Sequence, residues 1–477
     1  MSRPTLFPIV AGLLGLALSS APAAAQSPAA FVPEPSRQVT GPLQLPSNLP
    51  ANLTLPDGVV IIPLPSVSGD PRFEVWLPPG ISGSPTNIER FQIQVPLAAI
   101  LPPFEPRPAL IGYHFFGVSE QAVFNQDIPL RCASRGWFLI APFGVSQINF
   151  ANKQSQDSLD SILNWIEQFI QLDSERLYGL GFSMGGLNSL SVALRRQDEG
   201  ARRFAAVGSL LGTVDPVFAF NQGTPTLQTL MQSPDVFGGT PDSAPFAYER
   251  IATARLSPGL AIDDQRAGVN NLFDTGIYLG INVADPTTAL LTQNQALAGY
   301  LQSKGFNVFV DSFAGVPVHA WGSFDHTNVF AFFDGQTKPS PVNESALPVD
   351  LYADRTTPVR FTQVRNLDPN TVARYSVSRP AGGGNSLSVE ELRGVRELFV
   401  DGPQLGLQTG SPVTLTTFGE FPGAPGARIV LPGYASLPSS VTVGGAAPAF
   451  LSHNPQNGEL TIQPRFDSAF AVTSIVP

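Results

Sequence analysis

A serine stands between two glycines in Gly181-Phe182-Ser183-Met184-Gly185, and its flanks give that spacing chemical meaning. Before it runs Arg176-Leu177-Tyr178-Gly179-Leu180, a short apolar strand; after it come Gly186-Leu187 and an apolar helical stretch. A tight strand-to-helix turn leaves a serine hydroxyl exposed, and glycines two residues before and after it remove the Cβ atoms that would clash. The following helix aims its first N–H groups at negative charge developing near the serine. The chemistry open to Ser183 is nucleophilic attack on a carbonyl carbon.

Such a hydroxyl needs a base, and the base needs an anion to fix its tautomer. The chain has only four histidines. His114 ends the strand-like run before Phe115-Phe116-Gly117, and His453 lies far away near the C-terminal end. His319, in Val316-Pro317-Val318-His319-Ala320-Trp321, follows the last strand of the series, where a doubly wound hydrolase carries its base. His326 is the rival, with a blander role as a surface residue capping the next helix. The acid is expected at Asp285, after Ile281-Asn282-Val283-Ala284, with Asp215 as runner-up because it also follows a strand. Pro286 and Pro216 make a plain turn or N-cap aspartate the bland alternative for each. The N–H of Met184 and that of Phe116, preferred over Phe115, are the expected oxyanion donors.

The elements that must position these residues alternate. Strands are expected at 59–62, 72–77, 90–95, 109–114, 136–142, 176–182, 204–211, 276–283 and 307–313. Helical spacing appears at Leu159, Ile162, Leu163, Ile166 and Ile170, and again over 290–304. This alternation implies a mostly parallel, doubly wound sheet with helices on both faces. Residues 215–272 lack regular pattern and read as a cap-like loop region above the site. After about 339 short strand-like runs at 359–364, 397–402, 413–417, 441–443 and 460–462 follow without helices, which suggests a smaller all-β, sandwich-like module over 346–477.

Composition bounds the rest. With 27 Lys and Arg against 37 Asp and Glu, the net charge is −10, which argues against nucleic acid and anionic membrane surfaces as partners. Residues 1–25 read as a signal peptide, with Arg3, an apolar run from Ile9 to Leu18 and Ala23-Ala24-Ala25 before Gln26, so the chain is expected to be secreted or periplasmic. Residues 26–57, rich in Pro, Ser and Ala, read as an extended leader, and 58–338 as the catalytic domain. No later segment reaches about 18 apolar residues, so nothing is expected to span a membrane. The one cysteine, Cys132, permits no intramolecular disulfide and is expected to be buried and structural. There is no metal-ligand spacing, phosphate loop or dinucleotide fingerprint, so no cofactor is expected.

Taken in order, Pro108 to His114, Arg135-Gly136-Trp137, Ile140-Ala141-Pro142, Asp173 to Arg176, Gly181-Phe182-Ser183-Met184-Gly185-Gly186 and His319-Ala320-Trp321 resemble secreted α/β-hydrolase esterases. The likeness is to the polyhydroxybutyrate depolymerase and feruloyl esterase types, with the prolyl-oligopeptidase-like group behind them, and covers roughly Arg72 to Gly335. It implies an α/β-hydrolase fold, a triad of Ser183, Asp285 and His319, an oxyanion hole of Met184 and Phe116, and a carboxylic ester as substrate. Two departures stand out: His114-Phe115-Phe116-Gly117 where the family has His-Gly, and the lack of disulfides. A prolyl-oligopeptidase-like peptidase, or a binding protein on an inactive hydrolase scaffold, are the alternatives.

Overall fold

The structure is a computed structural model that describes residues 55, 57–100, 105–197, 202–338, 349–356, 358–367, 369–379, 384–418, 426–465 and 470–477. The expected signal peptide, almost all of the leader and the first residues of the C-terminal module lie outside these. The chain divides into two compact units.

In the first unit nine strands form one sheet: β1 (Val60–Leu64), β2 (Arg72–Leu77), β3 (Glu89–Gln94), β4 (Arg107–Tyr113), β5 (Phe138–Pro142), β6 (Leu172–Phe182), β7 (Ala206–Leu210), β8 (Gly276–Asn282) and β9 (Val308–Phe313). Their order is β1-β2-β3-β5-β4-β6-β7-β8-β9. The pairs among β1, β2, β3 and β5 are antiparallel; from β5 through β4 to β9 every pair is parallel. The strand order therefore reverses beside β4 and β6, the place where open α/β sheets put their ligands. This is the α/β-hydrolase fold, with a mostly parallel sheet.

Strand β6 shows why helices cover both faces. Alternate residues point to opposite sides. Tyr178 stacks between Trp137 (4.7 Å between centroids) and Phe333 (5.0 Å), so the helix Thr327–Asp334 lies on that side. On the other side stand Gly179 and Gly181. A Cβ on Gly181 would lie 2.2 Å from the backbone of Gly185, and one on Gly179 would lie 3.0 Å from Ser189 Oγ. The helix Met184–Arg195 packs there because nothing larger than hydrogen separates it from the strand.

The stretch expected to form a cap-like loop region is more regular than the sequence pattern indicates. Short helices run over Pro216–Gln222, Pro225–Met231 and Pro245–Glu249, each opening on a proline. The side chains of Asp215 and Thr224 cap the first two. Met231, Val236, Phe237, Tyr248 and Ile251 from this region share one buried cluster with Phe150, Met184 and Leu187.

The second unit holds two six-stranded sheets. One has the order β10-β13-β14-β16-β21-β18, from β10 (Val349–Ala353), β13 (Ala373–Ser378), β14 (Ser386–Arg393), β16 (Val413–Phe418), β18 (Ser440–Val443) and β21 (Phe470–Val476). The other has the order β11-β12-β15-β17-β20-β19, from β11 (Pro358–Val359), β12 (Thr362–Leu367), β15 (Val395–Val400), β17 (Arg428–Leu431), β19 (Phe450–Asn454) and β20 (Glu459–Gln463). Leu351, Tyr375, Val389 and Leu415 of the first sheet share a core with Val364, Leu398, Ile429 and Ile462 of the second, so the two form a sandwich. The single strand expected over 359–364 is instead a hairpin between β11 and β12, turned at Arg360 with φ +55°.

This unit also takes in Ala193–Arg203 and Gln265–Asp274, earlier in the chain than the expected boundary near residue 346. Polar contacts account for it. Asn271 Nδ2 donates to the carbonyls of Leu194 (2.9 Å) and Tyr352 (2.8 Å), and both Arg203 and Arg360 reach the Asp274 carboxylate. Of the stretch 215–272 expected to form a cap-like loop region, the part up to Asp264 belongs to the first unit.

Candidate active site

Ser183 sits directly after β6 with φ +56°, left-handed backbone that a non-glycine residue adopts only under constraint. The constraint is visible. Its N–H donates to Leu210 O (3.0 Å), while its carbonyl accepts from Gly186 (3.0 Å), Leu187 (3.3 Å) and Thr213 (3.3 Å). Gly185 is pressed against the end of β4, where a Cβ would fall 2.2 Å from Tyr113 O and 2.8 Å from His114 O. The turn after β4 therefore lies against the start of the serine's helix.

Three of the sequence-derived residues meet here. His319 Nε2 lies 3.0 Å from Ser183 Oγ, and His319 Nδ1 lies 2.9 Å from Asp285 Oδ2. With the Asp285 carboxylate accepting at Nδ1, His319 carries its proton there and leaves Nε2 to accept from the serine hydroxyl. The Asp285 side chain has no exposure and also accepts from the Thr287 N–H at 2.8 Å; the imidazole keeps 27 %. The Phe182 ring lies 4.6 Å from the imidazole, centre to centre.

The other two expected donors come from different elements: Met184 opens the helix that follows Ser183, and Phe116 lies in the turn after β4. Among the described residues no backbone acceptor takes the N–H of Met184 or of Phe116, whereas Gly117 donates to Gln147 O at 3.0 Å. The two aromatic side chains of this turn part company. Phe115 packs edge-on against Phe182 (5.7 Å) and Trp321 (6.4 Å); Phe116 packs on Phe150 (5.9 Å) and joins the cap cluster around Met184.

The rivals lie elsewhere in hydrogen-bonding terms. Asp215 caps the helix Pro216–Gln222, accepting from Val217 and Phe218, and pairs with Arg255 at 3.0 Å. His326 stands at the N-cap position of Thr327–Asp334, but it is buried and its side chain makes no capping bond, which corrects the surface-cap reading. Its Nε2 accepts from Trp321 Nε1–H at 2.9 Å, and its Nδ1 faces the Asp127 carboxylate. Despite its partial burial, hydrogen bonds from His326 and Arg131 and the Arg131 charge hold Asp127 down at about 2. His114 is buried, and burial pushes its pKa down; its ring nitrogens lie 2.9 Å from the carbonyls of Phe115 and Phe143. His453 belongs to the second unit and lies 2.9 Å from Tyr434 O. Cys132 is buried and free on the helix Ile128–Arg135, and burial pushes its thiol up, away from the reactive thiolate.

Sequence reasoning missed Asn282. Fully buried at the end of β8, it donates to Val316 O (2.8 Å) and accepts from Gly315 N–H (2.9 Å) and Ala284 N–H (3.1 Å). One side chain thus ties the Asp285 turn to the His319 loop. An asparagine ending an apolar strand, three residues before a candidate acid, is the signal that could have pointed to it.

No family model matches the chain, and no curated protein matches it. It is similar to an S-formylglutathione hydrolase from Agrobacterium tumefaciens, at 14% identity over 57% of this chain and 95% of that one, TM-score 0.38. It is also similar to FphF, a fluorophosphonate-binding serine hydrolase of Staphylococcus aureus (13% identity; 55% of this chain, 97% of that; TM-score 0.39). A third likeness is to the acylaminoacyl peptidase of Pyrococcus horikoshii (16% identity; 53% of this chain, 40% of that; TM-score 0.39).

Proposed function

We propose that this chain is an exported serine hydrolase that cleaves carboxylic esters through an acyl-enzyme. The observation that carries the reading is a strained Ser183 whose Oγ lies 3.0 Å from His319 Nε2, with Asp285 at 2.9 Å behind the imidazole. Ser183 Oγ bonds to the ester carbonyl carbon while His319 Nε2 takes its proton. The oxyanion faces the N–H groups of Met184 and Phe116. When the C–O bond breaks, His319 returns the proton to the departing alcohol oxygen. Water then enters by the same path, its proton going to His319 and back to Ser183 as the acid leaves. The resemblance to depolymerase and feruloyl esterase types extends the reading to polyesters and ester-bearing plant polymers.

A fluorophosphonate probe tests this directly. It should label the wild type and fail on Ser183→Ala, and an ester panel running from short acyl esters to polyesters and feruloylated sugars should lose hydrolysis in the same variant. Labelling that persists in Ser183→Ala removes the serine from the mechanism. Cleavage of aminoacyl anilides in preference to esters would make the chain a peptidase, and absence of both activities a binding protein.

A further inference from the structure

The direction of proton flow fixes which side of the site receives which half of the substrate. His319 must hand its proton to the alcohol oxygen, so the alcohol lies on the His319 side, while the carbonyl oxygen points toward Met184. The chain segments that lead into His319 and Asp285, residues 312–324 and 275–284, contain no Asp, Glu, Lys or Arg. They do offer exposed valines. Val283 keeps 42 % of its surface, Val316 60 % and Val318 43 %, each within three residues of Asp285 or His319.

These valines belong to one assembly. The Val283 N–H donates to Phe313 O at 2.9 Å, and Asn282 fastens Val316 through its carbonyl at 2.8 Å. Two successive bonds, Val318 N–H to Val316 O (2.8 Å) and Ala320 N–H to Val318 O (3.2 Å), coil the loop into His319. Three exposed apolar side chains held on one hydrogen-bonded backbone beside the site form the kind of apolar surface that a ligand-binding groove presents.

We propose that the leaving alcohol of the substrate is uncharged and apolar and rests against Val283, Val316 and Val318. This rests on the roles given above to Ser183 and His319. It selects alkyl and aryl alcohols, or the hydroxyl end of an aliphatic polyester, over alcohols and thiols that carry charge.

The test separates alcohol from acyl group. Acetates of 2-naphthol, phenol and 3-carboxyphenol differ only in the alcohol; phenyl acetate and phenyl butanoate differ only in the acyl group. In the wild type, kcat/KM for 2-naphthyl acetate should exceed that for 3-carboxyphenyl acetate by about tenfold or more. Val316→Ser with Val318→Ser should shrink that ratio severalfold and leave the phenyl butanoate to phenyl acetate ratio in place. Val316→Asp should raise acetylcholine relative to phenyl acetate, a ratio in which any effect on His319 itself cancels. An alcohol ratio unmoved in both variants, or an acyl ratio that moves instead, overturns the proposal. Loss of all ester hydrolysis in the wild type, or its survival in Ser183→Ala, would instead strike at the esterase reading itself.

Discussion

Two histidine–aspartate pairs stand within the first unit, their histidines only seven residues apart, and they are built for different ends. His319 meets Asp285 through Nδ1 and Ser183 through Nε2; His326 meets Asp127 through Nδ1 and the Trp321 indole through Nε2. The hydrogen-bond order is the same. The third partner is not: Ser183 offers a proton that can leave, whereas the indole N–H is only a donor and keeps its proton. Access differs as well, with 27 % of the His319 side chain open against 3 % for His326. A carboxylate behind an imidazole is therefore no mark of chemistry by itself. What lies beyond Nε2, and whether a substrate can reach it, decides.

The sharpest way to break this contrast is to remove each imidazole in turn. His319→Ala should lower kcat for an activated ester by about a million-fold, as loss of a triad base does. His326→Ala should keep kcat within about tenfold and instead lose roughly 1–3 kcal/mol of folding stability in urea titration, because the Trp321 donor is left buried and unpaired. Equal losses of kcat in the two variants would erase the distinction. A smaller effect is expected at the tie between the acid and base loops. Asn282→Ala should cost about a hundredfold in kcat with little change in KM, the order of loss for a misplaced catalytic group. If it acts by holding His319, it should cost almost nothing further in a His319→Ala background; a full second loss there would mark it as purely structural.

The smallest effect lies with Asp127. Its pKa is held below the ordinary 3.8, at about 2, so the folded state binds this proton less readily than the unfolded state does. Its contribution to stability is complete above pH 3.8 and is lost as pH falls toward 2. The stability gap between wild type and Asp127→Asn should accordingly close over that interval in acid titration of unfolding. A gap that stays constant would mean that Asp127 is not tied to His326 in the folded protein.

The parts of this arrangement that were legible in the sequence are the ones written locally. Strand β6 announces itself because Tyr178, Leu180 and Phe182 alternate with two residues lacking side chains, and the run 72–77 matches β2 residue for residue. The His326 environment was not legible: Asp127 lies 199 residues away, and no spacing rule signals that pairing. The cap helices carried readable signs, Asp215-Pro216 and Thr224-Pro225, but five to seven residues give too few turns for periodicity to show. In the sandwich, Arg360 turns a hairpin without glycine or asparagine, so β11 and β12 read as one strand. The parallel pairs β14 with β16 and β15 with β17 join strands remote in sequence, and partner choice of that kind leaves no local trace.

The membership of the second unit bears on how the chain is made. Asn271 and Asp274 emerge early in synthesis, where Leu194 and Arg203 already meet them, yet Tyr352 and Arg360, which complete their contacts, follow more than 80 residues later. A nascent chain must carry these polar groups only partly matched until the C-terminal strands appear, since earlier segments tend to fold first. A protein ended at residue 338 would keep every strand of the hydrolase sheet and still lack those partners. Such a truncation should aggregate rather than yield a minimal enzyme, which makes the sandwich a late but obligatory step in maturation.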